Sequence, residues 1–202
     1  MASVSSTQQV VAVAETVSSE TSFNLGVQAL EKFNAGELTA ALELARKQIA
    51  VSSCSFVIKA EMHHIEAACL YQLDQLEEAE TAIRAAVSIE PAKENYLNTY
   101  GVILRKNNRI EEAVRSYELV IKLQPDFADV YYNCGNALNE LDRKVEAVAR
   151  FKRCLEINPS HASAHHNCAN SLRDLKEVDE ALEHYSRSSE LEFNNPDMHC
   201  NW

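Results

Sequence analysis

Residues 128–161 read ADVYYNCGNALNELDRKVEAVARFKRCLEINPSH, and the next 34 residues repeat the same order of small, bulky and polar side chains. The prolines give the period, because Pro91, Pro125 and Pro159 lie 34 residues apart in a chain that has only four prolines. Self-similarity at a fixed spacing of this length indicates a protein built from stacked structural repeats.

Other positions recur with the same spacing, and the small and bulky residues at them are complementary in size. The recurring sets are a small residue (Ala67, Gly101, Gly135, Ala169), a leucine three residues later (Leu70, Leu104, Leu138, Leu172), a second small residue (Ala79, Ala113, Ala147, Ala181) and a bulky residue after it (Ile83, Tyr117, Phe151, Tyr185). Small residues let two helices cross closely, and the larger ones fill the space beside the crossing. Proline then ends the second helix. We therefore predict helix hairpins that bury their apolar faces against neighbouring hairpins.

These positions resemble the consensus of the tetratricopeptide-repeat (TPR) family. The resemblance implies an all-α fold, a right-handed superhelical solenoid of about five repeats plus the start of a sixth. The predicted solenoid covers 22–195, with repeats at 22–55, 60–93, 94–127, 128–161 and 162–195. The first repeat is atypical, because it lacks the final proline and is followed by a four-residue insertion, Phe56 to Lys59.

The two ends of the chain lie outside these repeats. For residues 1–21 there are two interpretations: a flexible tail, or a short helix with Val10, Val13 and Val17 on one face that covers apolar surface of the first repeats. Residues 196–202 match the opening of a sixth repeat that stops inside its first helix. We expect a longer polypeptide, or another chain that covers this end, and a frayed natural terminus is the alternative. A related prediction is self-association through the uncapped C-terminal repeat.

Composition excludes several functional classes. The chain carries 30 acidic and 19 basic residues, a net charge of −11, so nucleic acid and anionic membranes are not expected partners. It has neither a membrane-length apolar run nor a secretory signal, which favours the cytoplasm. The six cysteines are interpreted as free thiols, since Cys134 and Cys168 share one repeat position and Cys154 lies on a predicted buried face.

Catalytic and metal-binding patterns are also missing from the sequence. There is no nucleophile elbow and no glycine-rich phosphate loop, so we expect no enzymatic activity and no cofactor. His161 and His165 have zinc-ligand spacing, but His161 precedes its predicted helix and no third ligand lies nearby in the sequence. We therefore expect no metal.

The TPR resemblance implies that the first helix of each repeat lines a concave, partner-binding groove. In the first repeats the groove positions are apolar or aromatic: Phe23, Val27, Leu30, Phe33, Ile65 and Tyr71. In the later repeats they are rich in amides, and we interpret them as a peptide-binding groove: Asn98, Tyr132, Asn133, Asn136, Asn139, His166, Asn167, Asn170 and Arg173. An amide offers both a donor and an acceptor, so a row of amides suits the backbone of an extended peptide.

The spacing of Asn133, Asn167 and Asn201 is similar to the asparagine ladder in the TPR arm of O-GlcNAc transferases. By contrast, the lysine that chaperone-adaptor TPR proteins use to clamp a terminal carboxylate has no counterpart here. The sequence therefore predicts a protein-interaction scaffold that binds a peptide or partner segment in the groove. The alternative is the substrate-recognition arm of a larger enzyme, such as a glycosyltransferase, with its catalytic domain beyond Trp202.

Overall fold

Helices alternate with short turns throughout residues 25–52 and 54–193, the part of the chain that the computed structural model describes. No strand occurs within these ranges. Phe23, the valines of the N-terminal segment, Asn201 and the interrupted sixth repeat lie outside the described residues, so the statements about them stay predictions.

The chain divides into two compact units, one ending at Thr99 and the other beginning at Tyr100. The first unit contains residues 25–34 (α1), Leu38–Ile49 (α2), Phe56–Gln72 (α3), Leu76–Ile89 (α4) and the first part of Glu94–Lys106 (α5). The second unit contains the rest of α5, Ile110–Leu123 (α6), Ala128–Glu140 (α7), Lys144–Ile157 (α8), Ala162–Asp174 (α9) and Val178–Phe193 (α10).

Sequential helices pack against each other, as the hairpin prediction requires. In the first unit α3 packs on α4, and α2 packs on α3. In the second unit α7 packs on α8 and α9 packs on α10, while α8 also contacts α9. Helices α8 and α9, for example, each bury one face in their own hairpin and another face against the neighbouring hairpin.

In two hairpins of the second unit, a glycine of the first helix lies directly against an aromatic ring of the second helix. A Cβ atom built on Gly101 would lie 2.5 Å from Tyr117 Cε1, and one built on Gly135 would lie 2.5 Å from Phe151 Cε1. Both rings are fully buried. At these two positions the first small residue of the repeat contacts the bulky residue directly. The ring fits because glycine has no side chain.

The insertion of residues 56–59 lengthens a helix. Helix α3 already begins at Phe56, and the Oγ atom of Ser55 accepts a hydrogen bond from the Ile58 amide at 3.3 Å, which caps the helix start. The four residues that interrupt the 34-residue period therefore add one extra turn to α3.

Within the described hairpins, a residue with left-handed backbone conformation follows the first helix, a feature that the repeat pattern did not predict. The residues with positive φ are Gly36, Asp74, Asn108, Asp142 and Lys176. After each of them an amide bonds five residues back, for example Gln75 to the Leu70 carbonyl at 2.8 Å and Glu177 to the Leu172 carbonyl at 2.9 Å. This is the Schellman arrangement, which closes a helix and turns the chain.

Gly135→Ala tests the close contact. The new methyl group cannot fit without displacing Phe151, so we expect a loss of about 1–3 kcal/mol in the free energy of unfolding, measured by urea denaturation. Gly26→Ala is the matched control, because its Cβ would lie 3.6 Å from Met62 Cε, an ordinary contact distance. Equal stability of the Gly135→Ala variant and the unmodified protein would show that the ring contact does not limit packing.

Lys176→Gly tests the turn. Lysine is strained at positive φ, whereas glycine is not, and the unfolded-state entropy of glycine offsets only part of the gain. We expect the free energy of unfolding to rise by about 0.5–1 kcal/mol. Asn108→Gly should give a smaller rise, because asparagine tolerates this conformation better. The explanation fails if Lys176→Gly lowers the melting temperature.

Candidate functional site

Polar side chains on α7 and α9 form a connected surface in the second unit. This amide surface consists of Tyr132, Asn136 and Asn139 on α7 and Asn167 and Asn170 on α9, all half-buried. The Nδ2 group of Asn167 donates to Asn136 Oδ1 at 2.7 Å and lies 3.4 Å from Tyr132 Oη. An amide–amide hydrogen bond therefore joins the first helices of two successive hairpins.

Asn170 is held by a second set of contacts within its own hairpin. Tyr185 Oη, on α10, donates to Asn170 Oδ1 at 2.7 Å, and Arg173 Nη1 lies 3.3 Å from Tyr185 Oη. Because a guanidinium only donates, the tyrosine oxygen accepts from Arg173 and its proton is directed to Asn170. His166 is exposed, and its ring lies edge-on to Tyr185 with 5.7 Å between centroids.

The bonding pattern decides which groups a ligand can use. The Oδ1 atoms of Asn136 and Asn170 each accept a hydrogen bond from the protein. Among residues 25–52 and 54–193, no partner lies within hydrogen-bond distance of their Nδ2 groups. These two amides therefore present donors in fixed orientations, whereas Asn167 presents an acceptor, its Oδ1 atom.

Asn139 belongs to the same surface through Ser171. The Ser171 Oγ atom lies 3.0 Å from Asn139 Oδ1 and 2.9 Å from the Asn167 carbonyl. A hydroxyl has one proton, so it serves only one of these acceptors at a time.

The structure shows a diagonal pair, Asn136 with Asn167, whereas the ladder of Asn133, Asn167 and Asn201 at one repeat position stays a prediction. Asn133 and Asn98 are half-buried, and Asn98 belongs to the first unit. Arg173 is exposed, and Asn201 lies outside the described ranges. The interpretation of these amides as a peptide-binding groove stays a prediction, and the sequence did not predict that Asn136 and Asn167 bond to each other.

Three of the apolar residues predicted in the first repeats, Val27, Leu30 and Ile65, line a separate cavity of about 290 Å³ between α1 and α3. Val27 and Leu30 of α1 line it, with exposed fractions of 40% and 45%, while Ile65 of α3 forms a buried floor with an exposed fraction of 3%. Phe33 and Tyr71 are half-buried and do not belong to the lining.

Comparisons with known proteins support this architecture. A family model described as "TPR repeat" matches residues 101–142, and a model described as "Tetratricopeptide repeat" matches residues 60–93 and 128–161. The chain contains tetratricopeptide repeats. No curated protein sequence matches the chain.

Solved TPR-like structures share the fold. "MamA 41-end from Desulfovibrio magneticus RS-1" superposes with a TM-score of 0.76 at 16% identity, covering 87% of this chain and 97% of that chain. "Crystal structure of MamA" gives a TM-score of 0.71 at 15% identity, covering 81% of this chain and 94% of that chain. At such low identity the likeness shows the fold alone. The predicted all-α TPR solenoid is confirmed, whereas the likeness to O-GlcNAc transferase arms stays a prediction.

Metal and membrane sites can be checked within the described part of the TPR array. No group of three or more histidine, cysteine, aspartate or glutamate side chains there is arranged to hold a metal ion. His161 caps α9, because its Nδ1 atom accepts from the Ala164 amide at 3.2 Å. None of the described helices has both the length and the apolarity to cross a bilayer.

The described cysteines are buried in the TPR core as free thiols, as predicted for Cys134, Cys154 and Cys168. Burial raises the pKa of Cys134 and of Cys154 to about 11 and that of Cys168 to about 12. These side chains therefore stay protonated at neutral pH and act as small hydrophobic residues.

A histidine pair links α9 to α10. His165 Nε2 lies 3.2 Å from the Pro159 carbonyl, and only a protonated nitrogen can bond there, so in neutral His165 the Nδ1 atom is the acceptor. His184 Nδ1 lies 2.9 Å from it and supplies the proton. Desolvation lowers the pKa of both imidazoles, and a positive charge on His165 lowers that of His184 further.

This pair gives a pH prediction. Because both pKa values lie below the ordinary value of about 6.5, the unfolded chain binds more protons than the folded chain between about pH 7 and 5. The melting temperature should therefore fall as the pH falls through this window. His184→Gln, which cannot be protonated, should flatten the dependence, whereas His166→Gln, outside the pair, should not. An unchanged profile for His184→Gln would exclude the pair as the cause.

Proposed function

We propose that this protein is a TPR scaffold whose amide surface binds the backbone of an extended peptide segment of a partner protein. TPR repeats support protein interaction as the general function. The groups on α7 and α9 support the more specific proposal, because their orientations are fixed before a ligand arrives.

The observation that carries the proposal is the internal bonding of Asn136 and Asn170. Each oxygen is occupied within the protein, so each amide offers its nitrogen as a donor. A peptide backbone presents a carbonyl acceptor at every residue, which matches a pair of oriented donors whatever its side chains are. Fixed donors also lose little conformational freedom on binding.

The surrounding side chains add contact area without strong selectivity. Tyr132 packs against the His161 ring, with 4.6 Å between the centroids, and both rings are half-buried. Aromatic rings of this kind supply contact area at a low entropic cost. The amide surface therefore suits a ligand recognised mainly through its backbone.

The alternative function, a recognition arm of a larger enzyme, has no supporting observation among the described residues. Partner identity, the exclusion of nucleic acid and membranes, and a cytoplasmic location stay predictions.

The proposal can be tested with substitutions that keep the internal bonds. Asn136→Asp and Asn170→Asp each retain an oxygen for Asn167 or Tyr185 but replace the outward donor with an acceptor. Peptides enriched from a random display library on the full chain should bind the double variant about five- to hundredfold more weakly, from two lost bonds of ~0.5–1.5 kcal/mol each. Kd is measured by isothermal titration calorimetry.

Asn158→Asp is the matched control. Its Oδ1 atom accepts from the Ser160 amide, so this change also preserves an internal bond. It adds one negative charge, as each of the two test substitutions does, at an exposed position outside the amide surface. Peptide binding should survive in the Asn158→Asp variant. The melting temperature should be nearly unchanged by Asn136→Asp, by Asn170→Asp and by Asn158→Asp. Enriched peptides that bind the double variant as tightly as the unmodified protein would refute the role of the amide surface.

A further inference from the structure

The cavity between α1 and α3 is built by the departure from the repeat period. Val57 and Ile58, which line one wall, belong to the four-residue insertion that extends α3 by one turn. Val27 and Leu30 line the facing side on α1. A strict 34-residue repeat would lack the extra turn and with it this wall, so the cavity is specific to this position in the array.

The cavity combines an apolar lining with one acidic group. Val57 has an exposed fraction of 62%, and together with the exposed α1 side chains it leaves apolar surface open to solvent. Exposed apolar patches on a soluble domain mark interaction sites. A volume of about 290 Å³ lies at the lower end of the range for ligand pockets, so it suits a side chain better than a large cofactor.

Glu61 provides the acidic group at this cavity, and its carboxylate is oriented by the protein. Tyr96 Oη donates to Glu61 Oε2 at 2.7 Å, and His64 Nδ1 lies 3.9 Å from Glu61 Oε1. The interaction with His64, helped by the Tyr96 hydrogen bond and the more distant charge of Lys93, lowers the pKa of Glu61 despite its partial burial. The side chain keeps an exposed fraction of 45%, so an ionised carboxylate faces the solvent there.

We propose that this cavity binds an apolar side chain of a partner peptide that carries an adjacent lysine or arginine, and that Glu61 pairs with that cation. The inference rests on the proposed scaffold function but uses a site in the other compact unit. Charge complementarity selects the occupant: the apolar group fills the cavity, and the cation meets the fixed carboxylate beside it.

The same charge argument disfavours the two occupants that the chain itself could supply. Residues 1–24 contain several valines but no lysine or arginine, and they carry Glu15 and Glu20. A second copy of the chain carries the same net charge of −11. Neither complements Glu61 as well as a basic, apolar peptide does.

Methionine-methyl NMR on the full chain provides a direct measurement. The chain has three methionines, Met1, Met62 and Met198, and Met62 lines the cavity. A short peptide with a central leucine flanked by lysines should shift the Met62 methyl signal in a saturable way. Serine in place of the leucine should weaken binding about tenfold or more, because the apolar burial is lost.

Two variants separate the apolar and charged parts. Gly26→Leu places its side chain towards Met62 and Ile58 without a backbone clash, so it should fill the cavity, keep the melting temperature and abolish the titration. Glu61→Gln can still accept from Tyr96 and should weaken binding of the lysine peptide about two- to fivefold, the range for a partly exposed ion pair. Glu43→Gln, an exposed change on α2, is the matched control and should have no effect.

Several outcomes would overturn the inference. One is an equal titration of the Gly26→Leu variant, and another is equal affinity for peptides flanked by glutamate and by lysine. A Met62 signal that moves without peptide in a Val10→Ser, Val13→Ser, Val17→Ser variant would identify the chain's own N-terminal segment as the occupant. A Met62 shift that depends on protein concentration alone would identify a second copy instead.

The two proposals fail independently of each other. Asn136→Asp with Asn170→Asp should leave the Met62 titration unchanged, since those residues lie in the second unit. Library peptides that bind this double variant as tightly as the unmodified protein, together with a Met62 titration that Gly26→Leu abolishes, would refute only the amide surface. Library binding that the double variant weakens, together with a Met62 titration that Gly26→Leu leaves unchanged, would refute only the cavity.

Discussion

The position of the amide surface depends on how closely the two helices of a hairpin approach each other. At Gly101 and Gly135 the distance is set by a ring, Tyr117 or Phe151, that lies where a Cβ atom would have to be. The interior of a protein is close-packed and cannot absorb even one extra methyl group there without moving a helix. Any such movement would change the position of α7 relative to α8, and with it the amide surface on α7.

The turns supply the second constraint. A left-handed residue and its paired backbone bonds end the first helix of each hairpin at the same residue of the period. The local bonds of the turn and the packing of the helices on both sides of it therefore favour the same orientation of the next helix. This explains why Lys176 is tolerated at a strained position: the packed helices on both sides determine the turn, and the strain is small beside that packing.

The sequence predicted the repeat fold well, since periodicity reports directly on which residues are buried. Small and bulky positions could be paired because both lie in every repeat, and the free, buried cysteines followed from the same alignment. The positive-φ position was also present in the sequence, as Asp74, Asn108 and Asp142 at one period, but aspartate and asparagine are common on surfaces and their spacing alone does not indicate a turn.

The candidate sites were predicted less completely, because they depend on individual contacts between helices. The bonds between Asn136 and Asn167 and between His165 and His184 join residues in different helices, and periodicity alone does not indicate which polar side chains meet. Likewise, residues 56–59 were recognised as an interruption of the period. Only the helix start at Phe56 shows that the interruption lengthens α3 and creates a cavity wall.

The internal bonds of the amide surface limit what that surface can recognise. If every amide were free, both its donor and its acceptor could adapt to a ligand, at the cost of ordering each side chain on binding. Bonding Asn136 to Asn167 removes that adaptability and leaves donors in fixed places. The same bond contributes to the contact between successive hairpins, so part of the proposed recognition surface also stabilises the fold.

The α1–α3 cavity differs from the amide surface. Val27, Leu30 and Val57 are exposed there, and in the proposed complex a ligand would bury them. For this reason the affinity of the cavity should come mainly from apolar burial, and that of the amide surface from pre-oriented hydrogen bonds.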